Sequence, residues 1–186
     1  MRKDFGPQSL IYPEPVLMIA SYDEEGNVDA MNAAWGGVSG SNEITMCLSP
    51  THKSVENIVK IKEFTVAFGD ADHVEECDYL GLVSAKDVPD KVARTGLTVG
   101  QSKHVNAPIL EELPVYLDCK LKSYDEATHY MRAEIVNVAA DESVLDEEGN
   151  IDLAKVRPIA YDGLNHNYNV LGEIVGKAFS DGKNIK

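Results

Sequence analysis

Residues 27–57, NVDAMNAAWGGVSGSNEITMCLSPTHKSVEN, carry the reading of the fold. A strand pattern runs from Val28 to Trp35 and enters a bare Ala/Gly/Ser loop. A second strand covers Glu43 to Leu48, and the Ser49-Pro50-Thr51-His52-Lys53-Ser54 loop opens a helix. Small residues let a flat ligand lie against backbone, and a basic, hydroxyl-rich helix start suits a phosphate. Together they point to a planar, phosphorylated cofactor.

Outward from this stretch the chain reads as many short strands. Pro15 to Ala20 is an apolar run ending near the turn Asp23-Glu24-Glu25-Gly26-Asn27, which makes it a buried strand entering a hairpin. His52 to Lys62 places Val55, Ile58 and Val59 at helical spacing. Phe64 to Phe68 is another buried strand. Asp70 to Arg94 reads as helical, with Val74, Cys77, Leu80 and Leu82 inward, and Thr95 to Pro108 as an irregular surface loop. Pro114 to Lys122 alternates cleanly, with Val115, Leu117, Cys119 and Leu121 on one face and Tyr116, Asp118, Lys120 and Lys122 on a wet one; Tyr130 to Ala139 returns beside it. Asp141 to Asn150 is a solvated turn, and Arg157 to Tyr161 reads as the last short strand. From Tyr168 to Phe179 the apolar Val170, Leu171, Ile174, Val175 and Phe179 demand a surface, either the body of the domain or a second subunit.

The implied fold is mainly β with helical insertions: an antiparallel barrel in a single domain spanning residues 1–186. Strand–helix alternation and a GxGxxG fingerprint are both missing, which counts against a Rossmann domain. At 186 residues such a chain has a sizeable core.

The net charge of −14 repels nucleic acid and anionic membrane, and requires any nucleotide site to be locally basic. No apolar run reaches the ~20 residues of a membrane span. MRKDFGPQS has no apolar core behind its basic residues, so it does not read as a signal peptide, and the expected location is cytoplasmic. Three cysteines without a CxxC pair exclude a four-thiolate metal site and disfavour a disulfide framework; Cys47 and Cys119 read as small buried hydrophobes. The five histidines form no HxH, HxxxH or HExxH pattern, so no metal is expected; the acidic surroundings of His73 read as a helix start. A GxSxG elbow is absent, and hydrolase chemistry has no local support.

Residue types alone leave alternatives open. The small-residue stretch describes either a ring site or a flexible connection. Trp35 is either a stacking partner or core. Thr51 or Ser54 describes an ordinary N-cap as well as a phosphate contact; the neighbouring small-residue stretch favours the phosphate, with Lys53 as the principal cation.

Several segments, in order, resemble the flavin reductase-like and flavoredoxin family. They are Pro15-Val16 with the Gly26-Asn27 turn, Asn32-Ala33-Ala34-Trp35, Lys53-Ser54 with Asn57-Ile58, and Glu63-Phe64-Thr65-Val66. Gly81-Leu82-Val83-Ser84, Asp90-Lys91, Gly96-Leu97-Thr98, Ala107 to Glu111, Cys119 and Leu171-Gly172-Glu173 with Gly176 extend the likeness. The resemblance implies an FMN-binding split barrel, a homodimer and FMN near the subunit contact. By position it assigns cofactor contacts to Asn32, Ala33, Ala34, Trp35, Ser49, His52, Lys53, Ser54 and Asn57, with Tyr168 approaching the flavin. His52 falls where relatives are often basic, and a neutral imidazole holds phosphate less firmly. Because the flavin itself moves hydride or electrons, no side chain is assigned as catalytic. Three functions are implied: an FMN-dependent oxidoreductase that reduces flavin from NAD(P)H, a flavoredoxin-type electron carrier exchanging electrons with a redox partner protein or small-molecule acceptor, and a non-catalytic flavin-binding module.

Overall fold

The computed structural model describes residues 1–185. In chain order the elements are β1 (Glu14–Pro15), β2 (Leu17–Tyr22), β3 (Val28–Ala33), β4 (Gly36–Gly40), β5 (Glu43–Cys47), α1 (Lys53–Ile61), β6 (Glu63–Phe68), α2 (Val74–Leu82) and α3 (Lys91–Thr95). They continue with β7 (Val99–Gln101), β8 (Pro108–Leu110), β9 (Val115–Asp125), β10 (Tyr130–Ala140), α4 (Leu153–Val156), β11 (Ile159–Asp162) and β12 (Asn167–Val170).

Seven strands form one antiparallel sheet in the order β3-β2-β6-β9-β10-β5-β4. Its two edge strands, β3 and β4, are consecutive in sequence, with Ala34 and Trp35 alone between them. So short a connection reaches only about 10 Å. The opposite edges of the sheet must therefore curl round to meet, and the result is a split barrel whose seam runs through Ala34 and Trp35. Gly36 marks the tightness of that seam. A Cβ there would lie 2.7 Å from Leu17 Cδ1 and 2.8 Å from Met46 Cγ.

The central strand β2 is buried on both faces, which explains the unbroken apolar run. Leu17 and Ile19 join Met46, Phe64, Val66 and Met131 inside the barrel. Val16, Met18 and Ala20 pack outward against Cys77, Leu80, Val92 and Ile159 under the helices. Two smaller sheets, β1-β11-β12 and β7-β8, close the flanks. Among the described residues no helix is long and apolar enough to cross a membrane.

Several local expectations are corrected. Gly36–Gly40 is not a loop but a strand, built by pairing with β5. The helical segment after Asp70 is broken into α2 and α3, as expected of a chain carrying Pro89. Leu82 faces out at 74% exposure, while Cys77 and Leu80 are buried. The stretch 95–108 contains β7. Asp118 is fully buried rather than wet, held by Ser102 Oγ at 2.6 Å and Asn137 Nδ2 at 2.9 Å. Arg157–Tyr161 is followed by a further strand, β12. Beyond Leu171, which still borders the body, the apolar tail residues do not pack on it: Ile174, Val175 and Phe179 are 95%, 93% and 98% exposed.

Candidate functional site

The start of α1 is open. His52 occupies the N-cap position with extended backbone, and no side chain caps the first turn. The backbone N–H groups of Lys53, Ser54 and Val55 thus have no partner within the helix, and they sit at its positive end. Thr51 Oγ1 instead lies 2.9 Å from Ser49 Oγ.

A cavity of 210 Å³ opens beside this helix start, bordered by Asp29, Asn32, His52, Lys53, Ser84 and Lys91. Lys53 is its partly exposed cation, with Nζ 3.9 Å from Asp23 Oδ2. Lys86 Nζ donates to Thr51 O at 2.8 Å and pairs with Glu56. Burial, then Lys91 and Lys86, hold the His52 pKa below its ordinary value, so the ring is neutral near pH 7. Three lysines thus gather around the helix start, each facing a carboxylate: Lys53 with Asp23, Lys86 with Glu56 and Lys91 with Asp29.

Lys91, almost fully buried, ties the cavity together. Its Nζ donates to Leu80 O at 3.2 Å and Val83 O at 3.0 Å, and lies 3.3 Å from Asp29 Oδ1. That approach to Asp29 is ionic, because Oδ1 accepts no hydrogen bond from a described residue. Ser54 Oγ donates to the other oxygen, Asp29 Oδ2, at 2.5 Å. Asn57 Nδ2 donates to Ser21 Oγ at 3.4 Å, inside the protein. The side chains of Ser54 and Asn57, expected at the cofactor, are therefore turned inward, and Ser54 offers the cavity its backbone N–H.

Two further spaces flank the seam. One, of 350 Å³, shares Asn32, Gly81 and Leu82 with the cationic cavity and adds Ala33, Ala34, Asp78, Tyr161, His166 and Tyr168. Gly81 lets α2 approach β3, since a Cβ there would lie 3.0 Å from Asn32 Cβ. Tyr168 Oη donates to Asp78 Oδ1 at 2.7 Å and lies 3.5 Å from Asn32 Nδ2. Burial, then the bond to Asp78, raises the Tyr168 pKa, so this hydroxyl stays protonated. Tyr161 Oη and His166 Nδ1 stand 2.7 Å apart. The other space is a 540 Å³ cleft bordered by Trp35, Gly36, Met46, Cys47 and Tyr130, and by Ser9, Leu10, Ile11 and Glu14 of the N-terminal segment. Trp35 is 58% exposed there, so it is not core.

Two chain segments connect the cationic cavity to this cleft: Asn32 to Trp35 along the seam, and Cys47 to His52 ahead of α1. Asn32, His52 and Lys53 border the cavity, Asn32, Ala33 and Ala34 the 350 Å³ space and Trp35 the cleft, and these three spaces together are the candidate groove along the seam. Ser49 lies on the second connecting segment, and Tyr168 stands on the flank. Asp29, Lys91, Glu14, Cys47 and Tyr130 escaped sequence reading as site residues. Each reaches the groove through strand pairing or a long-range contact, for which no local motif exists. A fourth space of 460 Å³, around Phe68, Val115, Val156 and Leu171, is lined entirely by apolar residues and offers a nucleotide no polar side chain. Among the described residues no three His, Cys, Asp or Glu side chains gather as a metal site.

Residues 9–163 match the family model described as "Flavin reductase like domain". The flavoredoxin of Desulfovibrio vulgaris (Miyazaki F) superposes with a TM-score of 0.93 and 33% identity, covering 98% of this chain and 100% of that one. Flavoredoxin from Methanosarcina acetivorans superposes at 0.89 with 23% identity, covering 100% of both chains. The FMN-binding domain of a flavin reductases-like enzyme from Shewanella baltica OS155 superposes at 0.79 with 19% identity, covering 88% of this chain and 89% of that one. At these two lower identities the likeness is one of fold.

Proposed function

This chain belongs to the flavin reductase-like domain family, and from that premise we propose that it binds FMN along the seam groove and serves as an oxidoreductase passing hydride or electrons through it. The observation that carries the reading is the uncapped start of α1 beside Lys53, joined by two continuous segments to a cleft wide enough for a ring system. The residues fit the cofactor. The free amides of Lys53, Ser54 and Val55, with the Lys53 ammonium, would hold the phosphate. The seam from Asn32 to Trp35 and the segment from Cys47 to Ser49 would bracket the ring. Bound FMN supplies the electron-carrying chemistry; the protein supplies binding, orientation and access.

NAD(P)H is the proposed electron donor. A flavoredoxin-type carrier with tightly bound FMN is the second reading, favoured by the 33% identity to the D. vulgaris protein along nearly all of both chains. The purified protein should be yellow and release FMN, not FAD, on heating, because the groove has one anion end. Rapid bleaching by NADH or NADPH supports the reductase; bleaching by dithionite or a protein donor alone supports the carrier. A colourless protein that FMN does not bind refutes both. A homodimer is proposed as the working form, since the exposed apolar tail needs a surface that its own body does not provide.

A further inference from the structure

We propose that Glu14 reads the imide edge of the flavin ring, its buried carboxylate accepting the ring's N3–H. This rests on the FMN reading above and extends it to the end of the cofactor remote from the phosphate.

Glu14 sits in β1, opposite Tyr161 of β11, and is 4% exposed. Four carboxylate residues among the described ones are buried to this degree: Glu14, Asp29, Asp70 and Asp118. Three of them have donors. Asp118 takes Ser102 Oγ and Asn137 Nδ2. Asp70 takes the backbone N–H groups of Asp72 and His73. Asp29 takes Ser54 Oγ and faces the Lys91 ammonium. One Glu14 oxygen, Oε2, is buried without a hydrogen-bond partner among the described residues; Asp29 Oδ1, the other such atom, faces the Lys91 ammonium, whereas no cation faces Glu14 within ion-pair distance. An unpaired buried carboxylate is costly, so a fold that keeps one calls for a donor from outside the chain.

Glu14 borders the cleft at the seam, where the ring is proposed to lie. The cleft's walls explain which donor fits. Trp35, Met46, Leu10 and Ile11 offer apolar surface to a planar ring, and the hydroxyl-bearing residues Ser9 and Tyr130 border the same space. The pyrimidine edge of an isoalloxazine shows a carbonyl oxygen, the N3–H and a second carbonyl oxygen. Its complement is one strong acceptor with hydroxyl donors nearby, which is the set this cleft holds. A simple apolar ligand would leave the carboxylate unpaired.

The test compares FMN with N3-methyl-FMN, which lacks that one donor, on the full-length protein stripped of flavin. Dissociation constants are read from flavin fluorescence. A charge-assisted hydrogen bond predicts that the unmodified protein prefers FMN by roughly ten- to a hundredfold. In Glu14→Ala the preference should collapse to about threefold or less, through a loss of FMN affinity rather than a gain for the methylated flavin. Glu14→Gln keeps the shape and an acceptor oxygen, guards against a folding failure in the alanine variant, and should show an intermediate preference. Its bound flavin should also have a higher midpoint potential, since a negative charge beside the ring opposes added electrons. FMN binding with no preference over N3-methyl-FMN, or a preference untouched by both substitutions, overturns the Glu14 contact and leaves the FMN reading standing. Failure of either flavin to bind the unmodified protein removes both.

Discussion

Ser54 Oγ donates a 2.5 Å hydrogen bond to Asp29 Oδ2 in the interior, directly beneath the open start of α1. One residue earlier, Lys53 is partly exposed and borders the cavity. Neighbours in a single motif thus have separate surroundings: Lys53 borders the cavity, while Ser54 pins the helix start to β3. Ser54→Ala would leave the Asp29 carboxylate with the Lys91 ion pair as its remaining partner. We expect a loss of about 1–3 kcal/mol in stability, seen as a melting temperature several degrees lower. An unchanged melting temperature would show that the bond adds nothing.

Lys53→Ala should give the opposite pattern. Its Nζ stands 3.9 Å from Asp23 in a partly exposed pair, which contributes little to folding. A charge-assisted contact to phosphate is worth about 1.5–3 kcal/mol, so the FMN dissociation constant should rise roughly ten- to a hundredfold. The melting temperature of the flavin-free protein is the control. If affinity is unchanged, the phosphate does not sit at α1. Riboflavin, which has no phosphate, should lose little affinity from the same substitution.

How legible this was in the sequence depended on range. The apolar run of β2, the alternation of β9 and the spacing of Val55 and Ile58 are local signals, and each element formed where they indicate. Gly36–Gly40 has only Val38 and Ser39 to alternate; it is a strand because β5 pairs with it, and a Cβ at Gly36 would crowd Leu17 and Met46. Asp118 looked wet by alternation, yet its two donors arrive from Ser102 and from the neighbouring strand at Asn137, partners that periodicity does not reveal. The same division holds at the groove. The end proposed for the phosphate is contiguous, from Ser49 to Ser54, and so reads as a local motif. The Asp29–Lys91 pair and Glu14 come from separate elements brought together by folding.

The three thiols should divide sharply in reactivity. Burial pushes Cys77 and Cys119 up to about 12, so both stay protonated and shielded at pH 8. Cys47 is partly accessible and borders the proposed ring cleft. One equivalent of a disulfide reagent should therefore react quickly with the native protein, and three after denaturation. Saturating FMN should slow the single fast reaction. Peptide mapping that finds the label on Cys77 or Cys119 would contradict the packing, and a Cys47 rate indifferent to FMN would move the ring away from this cleft.

The tail offers the sharpest test of assembly. Ile174, Val175 and Phe179 are almost wholly exposed, while β12 ahead of them is paired with β11 and Tyr168 is bonded to Asp78. A chain ending at Gly172 would keep those contacts and lose the three apolar side chains. Fully burying each would contribute about 1.5–3 kcal/mol, so dimerisation should weaken by at least roughly a hundredfold if the partner covers them. Replacing the three with serine in the full-length chain keeps the tail's length and should do the same. Light scattering across a concentration series reads the dimer, and flavin content after gel filtration reads whether the subunit contact supports FMN. The fold of the shortened chain should hold, because nothing in its core is removed. A dimer of undiminished affinity would show that another surface joins the subunits. A monomeric full-length protein would refute the dimer itself.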